Sequence, residues 1–145
     1  MNKRKLGKTD ININAIGFGG APLGDLFENL EEENCYQVLE KCYQANINLY
    51  DTSPLYGYGL SEHRLGNFLK TVKEDSYYLS TKVGRYLTPE KETNIDRGRF
   101  AGGLNFSPNL DYSYDGVMRS FEQSLIRLAV SKVDICLIHD VDRFN

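Results

Sequence analysis

The 145 residues are enough for one sizeable hydrophobic core, and charged residues at 26% are ordinary for a globular domain. Seventeen basic residues against twenty acidic ones give a formal net charge of -3, so no broad positive field is present and nucleic acid is excluded as a partner. No apolar run reaches the roughly 18 residues that span a bilayer, and none of signal-peptide length follows the basic start Met1 to Asp10, so the expectation is a cytoplasmic protein with no membrane partner.

In chain order, Arg4-Lys5-Leu6 and Ile11-Asn12-Ile13 flank the turn formers Gly7-Lys8-Thr9-Asp10 and read as a short hairpin capping something larger. Ala15 to Gly19 is a short strand ending in glycines, followed by a loop through Asn29. Glu31-Glu32-Glu33 suit the positive end of a helix, and Cys35, Val38, Leu39, Cys42 and Tyr43 mark one face of it at helical spacing. Asn46 is its expected left-handed stop. Ile47 to Tyr50 is the next strand, with Asp51 at its C-terminal end. After a loop to Leu60, Ser61 is expected to cap a helix carrying His63, Arg64, Leu65, Phe68 and Leu69, which Gly66 weakens.

Tyr77 to Val83 is the third strand, with Lys82 near its end. The segment 84–111, rich in Gly, Pro, Asn and Asp, reads as a long loop with no element of its own. Loops of that length are often lids, and Arg85, Arg97, Arg99, Phe100 and Phe106 would contact a substrate or a phosphate if this one crosses the pocket; a plain surface loop is the alternative. Tyr114, Val117, Met118, Phe121, Leu125 and Leu128 form the stripe of a helix over 114–128, and Val133 to Ile138 is the fourth strand, ended by His139 and Asp140. Apolar strands alternating with helices predict an α/β fold with a parallel sheet covered by helices. Cys35, Cys42 and Cys136 are odd in number and widely spaced, which is no disulfide framework; Cys35 and Cys42 read as small buried groups, and nothing nearby in sequence completes a metal site.

Asp51, Lys82 and His139 fall at the C-terminal ends of three strands, the edge where parallel sheets build their sites. Taken singly, Asp51 also reads as a turn former, Lys82 as a surface cation and His139 as a hydrogen-bonded buried histidine, and Tyr56 does not stand out among ten tyrosines. The cluster Gly17-Phe18-Gly19-Gly20 is not a dinucleotide fingerprint, because Pro22 occupies the third glycine position and the helix begins too late. These glycines read as admitting a ligand or a sharp turn.

Four segments in order resemble the N-terminal half of the aldo-keto reductase family: Arg4 to Gly19, Asp51-Thr52-Ser53-Pro54-Leu55-Tyr56-Gly57-Tyr58-Gly59-Leu60-Ser61-Glu62, Ser80-Thr81-Lys82, and Leu137-Ile138-His139-Asp140. Lys82 to Leu87 and His139 to Asp142 look most like a bacterial branch of sugar and pyridoxal dehydrogenases. The resemblance implies a (β/α)8 TIM barrel, of which residues 1–145 cover the hairpin and about the first four strands. It implies a catalytic set of Asp51, Tyr56, Lys82 and His139, with Tyr56 as general acid/base, Lys82 favouring its phenolate, Asp51 holding Lys82, and His139 donating to the substrate oxygen. The implied cofactor is NAD or NADP, the substrate a sugar or small aldehyde or alcohol, and no metal is involved. Gly20 and Asp51 are taken as the cofactor-side residues of this stretch.

A complete barrel takes about 250 residues, and the later strands would hold most of the cofactor contacts. The ending Asp142-Arg143-Phe144-Asn145 reads as cut within a βα loop, so a piece of a longer chain is expected over a half-barrel that pairs with another chain. Such a piece is expected to be inactive alone and to aggregate, remain molten or pair through its open edges. A non-catalytic binding or regulatory subunit on the same fold is the other class of function.

Overall fold

The computed structural model describes residues 3–143. Phe144 and Asn145 of the expected cut end, and Met1 of the basic start, lie outside the described residues. The strands are β1 (Lys3–Lys5), β2 (Asn12–Asn14), β3 (Phe18–Gly19), β4 (Leu49–Asp51), β5 (Tyr78–Val83), β6 (Arg85–Pro89), β7 (Phe106–Leu110) and β8 (Ile135–Ile138). The helices are α1 (Glu32–Gln44), α2 (Leu60–Leu69) and α3 (Tyr114–Leu128).

β3, β4, β5 and β8 form a four-stranded sheet in that order, every pair parallel. With its flanking helices it is an α/β fold of the kind that opens a TIM barrel. The strand period of two sorts its chemistry. Tyr50 of β4 and Leu79 of β5 are in register and fully buried with Leu39 of α1, Leu65 and Phe68 of α2, and Leu128 of α3. Asp51 and Ser80, also in register, point to the opposite face with Lys82.

The β1–β2 hairpin is fastened at the N-terminal end of β4. Asn48, just before that strand, accepts from the Asn14 amide at 2.9 Å and donates from Nδ2 to the Asn12 carbonyl at 2.9 Å. α1 ends as its sequence suggests, with Asn46 at φ 62. α2 differs from expectation. Gly59 is its N-cap, at φ 97, and Ser61 sits inside the helix. The Ser61 hydroxyl is instead buried, donating to the Gly20 carbonyl at 2.7 Å and bonded to Thr52 Oγ1 at 2.8 Å. α3 spans the expected residues, capped by Ser113, whose side chain accepts from the Gly116 amide. β8 starts two residues later than the apolar run suggests, because Asp134 Oδ2 accepts from the Leu79 amide at 2.8 Å where a ladder carbonyl would otherwise sit.

The segment 84–111 carries structure that composition concealed. β6 and β7 pair antiparallel, from Arg85 opposite Leu110 to Pro89 opposite Phe106. The outer edge of β6 is occupied by side chains of α3: Gln123 bonds both the amide and the carbonyl of Leu87, at 2.8 and 2.9 Å, and Ser120 donates to the Arg85 carbonyl at 2.9 Å. These partners lie more than thirty residues away in sequence, so no local pattern announces the strand. Of the candidate contacts in this segment, Arg97 bonds the Gly102 and Leu104 carbonyls and Asn105 Oδ1, and Phe100 stacks edge-on against Tyr58. Both hold the loop itself in shape. Arg99 is exposed and Phe106 half-buried.

Candidate active site

At the C-terminal edge of the sheet the register of β4 and β5 brings an acid beside a base. Lys82 Nζ donates to Asp51 Oδ2 at 2.5 Å and to the Thr52 carbonyl at 2.9 Å, and Ser80 Oγ donates to Asp51 Oδ1 at 2.8 Å. Both carboxylate oxygens are therefore engaged, and among the described residues two of the three ammonium protons are accounted for. The lysine side chain is 12% exposed, the aspartate 30%. A cation this far out of water persists because its counterion is in contact and its protons are bonded.

Tyr56 reaches this pair from the β4–α2 loop. Lys82 Nζ lies 4.8 Å from the centre of the Tyr56 ring. The loop is rigidly held: Tyr56 N–H donates to the Ser53 carbonyl at 3.1 Å and the Tyr56 carbonyl accepts from Ser61 N–H at 3.2 Å. Beneath it Gly24 meets the Tyr56–Gly57 peptide so closely that a Cβ on Gly24 would stand 2.4 Å from backbone atoms. No side chain larger than hydrogen fits there without moving Tyr56.

His139 follows β8. Its ring stands edge-on to that of Tyr56, with centroids 6.0 Å apart. The backbone is fixed on both sides: His139 N–H donates to the Val83 carbonyl at 3.0 Å, and Tyr112 Oη donates to the His139 carbonyl at 2.5 Å. Ser53 Oγ lies 3.0 Å from Nδ1, and Asp140 Oδ2 lies 3.7 Å from Nε2 while paired with Arg85 at 3.2 Å. Burial lowers the pKa of His139, Asp140 opposes that shift, and Lys82 and Arg85 reinforce it. The imidazole is accordingly neutral around pH 7.

Asp51, Tyr56, Lys82 and His139 are thus brought to one place. Gly20 adjoins them through its amide, which donates to the Asp51 carbonyl at 2.7 Å. The space a Gly20 Cβ would need is filled by Asp51 O at 2.7 Å and Ser61 Oγ at 2.9 Å, so close packing of β3 on β4 explains the glycine. Ser53, Ser80 and Tyr112 join the site without having been singled out from the sequence, and Arg85, expected as a substrate or phosphate contact, is paired with Asp140 at 3.2 Å. Ser80 was accessible to sequence reasoning, being two residues before Lys82 on the same strand face; Tyr112 and Arg85 act through contacts that no local spacing encodes.

Residues 15–144 match the aldo/keto reductase family. The chain belongs to that family. It is 40% identical to pyridoxal 4-dehydrogenase of Microbacterium luteolum, over 97% of this chain and 44% of that protein. It is 38% identical to D-threo-aldose 1-dehydrogenase of a Pseudomonas species, over 92% of this chain and 42% of that protein. Among solved structures, an aldo-keto reductase of Bacillus halodurans in its holo form superposes with a TM-score of 0.74 at 27% identity, covering 95% of this chain and 40% of that one. The chain spans less than half the length of these relatives.

Proposed function

We propose that this chain contributes the proton-handling half of the active site of an NAD(P)-dependent oxidoreductase that interconverts a carbonyl and an alcohol on a sugar or small aldehyde. The observation that carries the reading is the Lys82–Asp51 pair at 2.5 Å with Lys82 Nζ 4.8 Å from the Tyr56 ring. A lone tyrosine hydroxyl is a weak acid and a weaker base; a cation held beside its ring is placed to stabilise the charge that develops as it exchanges a proton with a substrate oxygen. Asp51 holds Lys82 and keeps it charged, and Tyr56 gives the proton to the oxygen in reduction or takes it in oxidation. His139, neutral and fixed at its backbone, donates a hydrogen bond that orients the same oxygen.

A nicotinamide cofactor supplies the hydride when bound. The donors present suit the oxygen end of that reaction. Gly20 and Asp51 are this chain's contribution beside the nicotinamide, and the described residues offer no glycine-rich phosphate cradle, so the phosphates take their partners from outside this stretch. A sugar or pyridoxal substrate is favoured by the likeness to the two dehydrogenases. The test is absorbance at 340 nm with the full-length protein, NAD and NADP, and a panel of aldoses, pyridoxal and simple aldehydes. Turnover of a panel member is expected; none with cofactor bound would refute the reading.

A further inference from the structure

We infer that Ser53 is a positioning residue that fixes the tautomer of His139, so that Nε2 carries the ring proton and faces its ligand as a donor. The inference rests on the oxidoreductase reading for what the donor is used for, but its geometry stands alone.

Ser53 is fully buried, and its hydroxyl has two neighbours. Leu55 N–H donates to Oγ at 3.2 Å, and Nδ1 of His139 lies 3.0 Å away. A hydroxyl has one proton to give and must place it when buried. Leu55 N–H cannot accept it. Among the described residues the acceptor left is Nδ1. The opposite arrangement, with Nδ1–H donating to Oγ, would have Oγ accept twice and strand its own proton out of water. The satisfied arrangement makes Nδ1 the acceptor, and a neutral imidazole whose Nδ1 accepts carries its proton on Nε2.

The surroundings leave that proton to a ligand and hold the ring in place. Asp140 Oδ2, at 3.7 Å, is beyond hydrogen-bond length from Nε2, and its carboxylate is drawn to Arg85 at 3.2 Å. The ring cannot escape by moving its backbone, because Val83 and Tyr112 hold both sides of the His139 peptide. Burial of the imidazole favours its neutral form, the form in which the choice between nitrogens matters. With the tautomer reversed, Nε2 would present a lone pair to the substrate oxygen and repel it.

The test assigns the His139 ring signals by their loss in His139→Gln, and His63 serves as the internal comparison. Ring nitrogens of labelled histidine are read by NMR in the full-length protein, above the titration range of imidazole. A protonated Nε2 and a bare Nδ1 at His139 are expected in the wild type. Ser53→Ala should abolish the preference, leaving averaged signals at His139 and unchanged ones at His63, and lower kcat about 10-fold, the worth of one hydrogen bond, with the cofactor Kd unmoved. Ser53→Thr, which restores a hydroxyl, should recover the protonated Nε2. A wild-type protein with protonated Nδ1, or a Ser53→Ala protein that keeps the wild-type tautomer, would overturn the inference. The wild-type spectrum decides even if the variant fails to fold. Absence of turnover alongside a protonated Nε2 in the wild type would support the tautomer and count against the oxidoreductase reading.

Discussion

Replacing Gly66 by alanine should destabilise the protein, against what helix propensity alone predicts. Gly66 lies within α2, where alanine is favoured over glycine by about 1 kcal/mol. In the fold, however, α2 and α3 touch at this residue. A Cβ on Gly66 would stand 2.4 Å from the Leu128 carbonyl oxygen, 2.7 Å from its carbon and 2.8 Å from its Cα. All three are backbone atoms, so no side chain can swing aside. Restoring ordinary contact requires α3 to retreat by about 1 Å, and overpacking of this kind costs about 1–3 kcal/mol. Leu128 is also fully buried in the core, so the retreat loosens packing around Leu65 and Leu79. The clash outweighs the propensity gain, and the thermal midpoint should fall by about 2–4 °C for each kcal/mol lost. Parallel thermal unfolding of the two proteins reads this. A Gly66→Ala protein with a raised midpoint would refute the argument and show that the helices separate at no cost.

Arg127→Met should be worse, because it leaves Glu62, at 0% exposure, without the guanidinium 2.6 Å away; losing one member of a buried pair costs about 3–5 kcal/mol, measurable by urea unfolding. Lys82→Met should reduce turnover by about 10²–10⁴-fold while leaving cofactor affinity, read by fluorescence titration, nearly unchanged. Stability should fall on acidification. His139 is largely buried and its pKa is lowered by that burial, so the unfolded chain binds more protons than the folded one just below the ordinary histidine value of about 6.5. Its contribution is complete above that value and is lost as pH drops through the window beneath it; unfolding midpoints followed downward from neutral pH should flatten in His139→Gln. The 145-residue chain alone should self-associate, since Leu137 and Ile138 on β8 are 46% and 60% exposed and β8 has one sheet partner among the described residues; light scattering after size exclusion would show a clean monomer if this is wrong.

The sheet strands and all three helices were legible because their signals are local. The apolar stripe of α3 and the run before His139 carry their period within the segment. Asp51, Lys82 and His139 could be found as polar residues closing apolar strands. Tyr56 could not: it lies in a loop, and its partners Lys82 and His139 are brought to it by the sheet, so family resemblance was needed. The misread parts share one cause. Ser61 looks like a cap but is used for the β3–β4 junction through Gly20 and Thr52. Residues 84–111 look like loop because β6 and β7 are held by Gln123 and Ser120 of α3. Ser53 differs from its neighbours only through His139, eighty-six residues on.

The central claim is that Tyr56 exchanges the proton at the reacting oxygen, and Tyr56→Phe in the full-length protein tests it most directly. The ring packing against Lys82 and His139 is kept while the hydroxyl is removed. The account predicts turnover at 340 nm reduced by about 10²–10⁴-fold with NAD or NADP still bound at wild-type affinity. Turnover at the wild-type rate in Tyr56→Phe would contradict it.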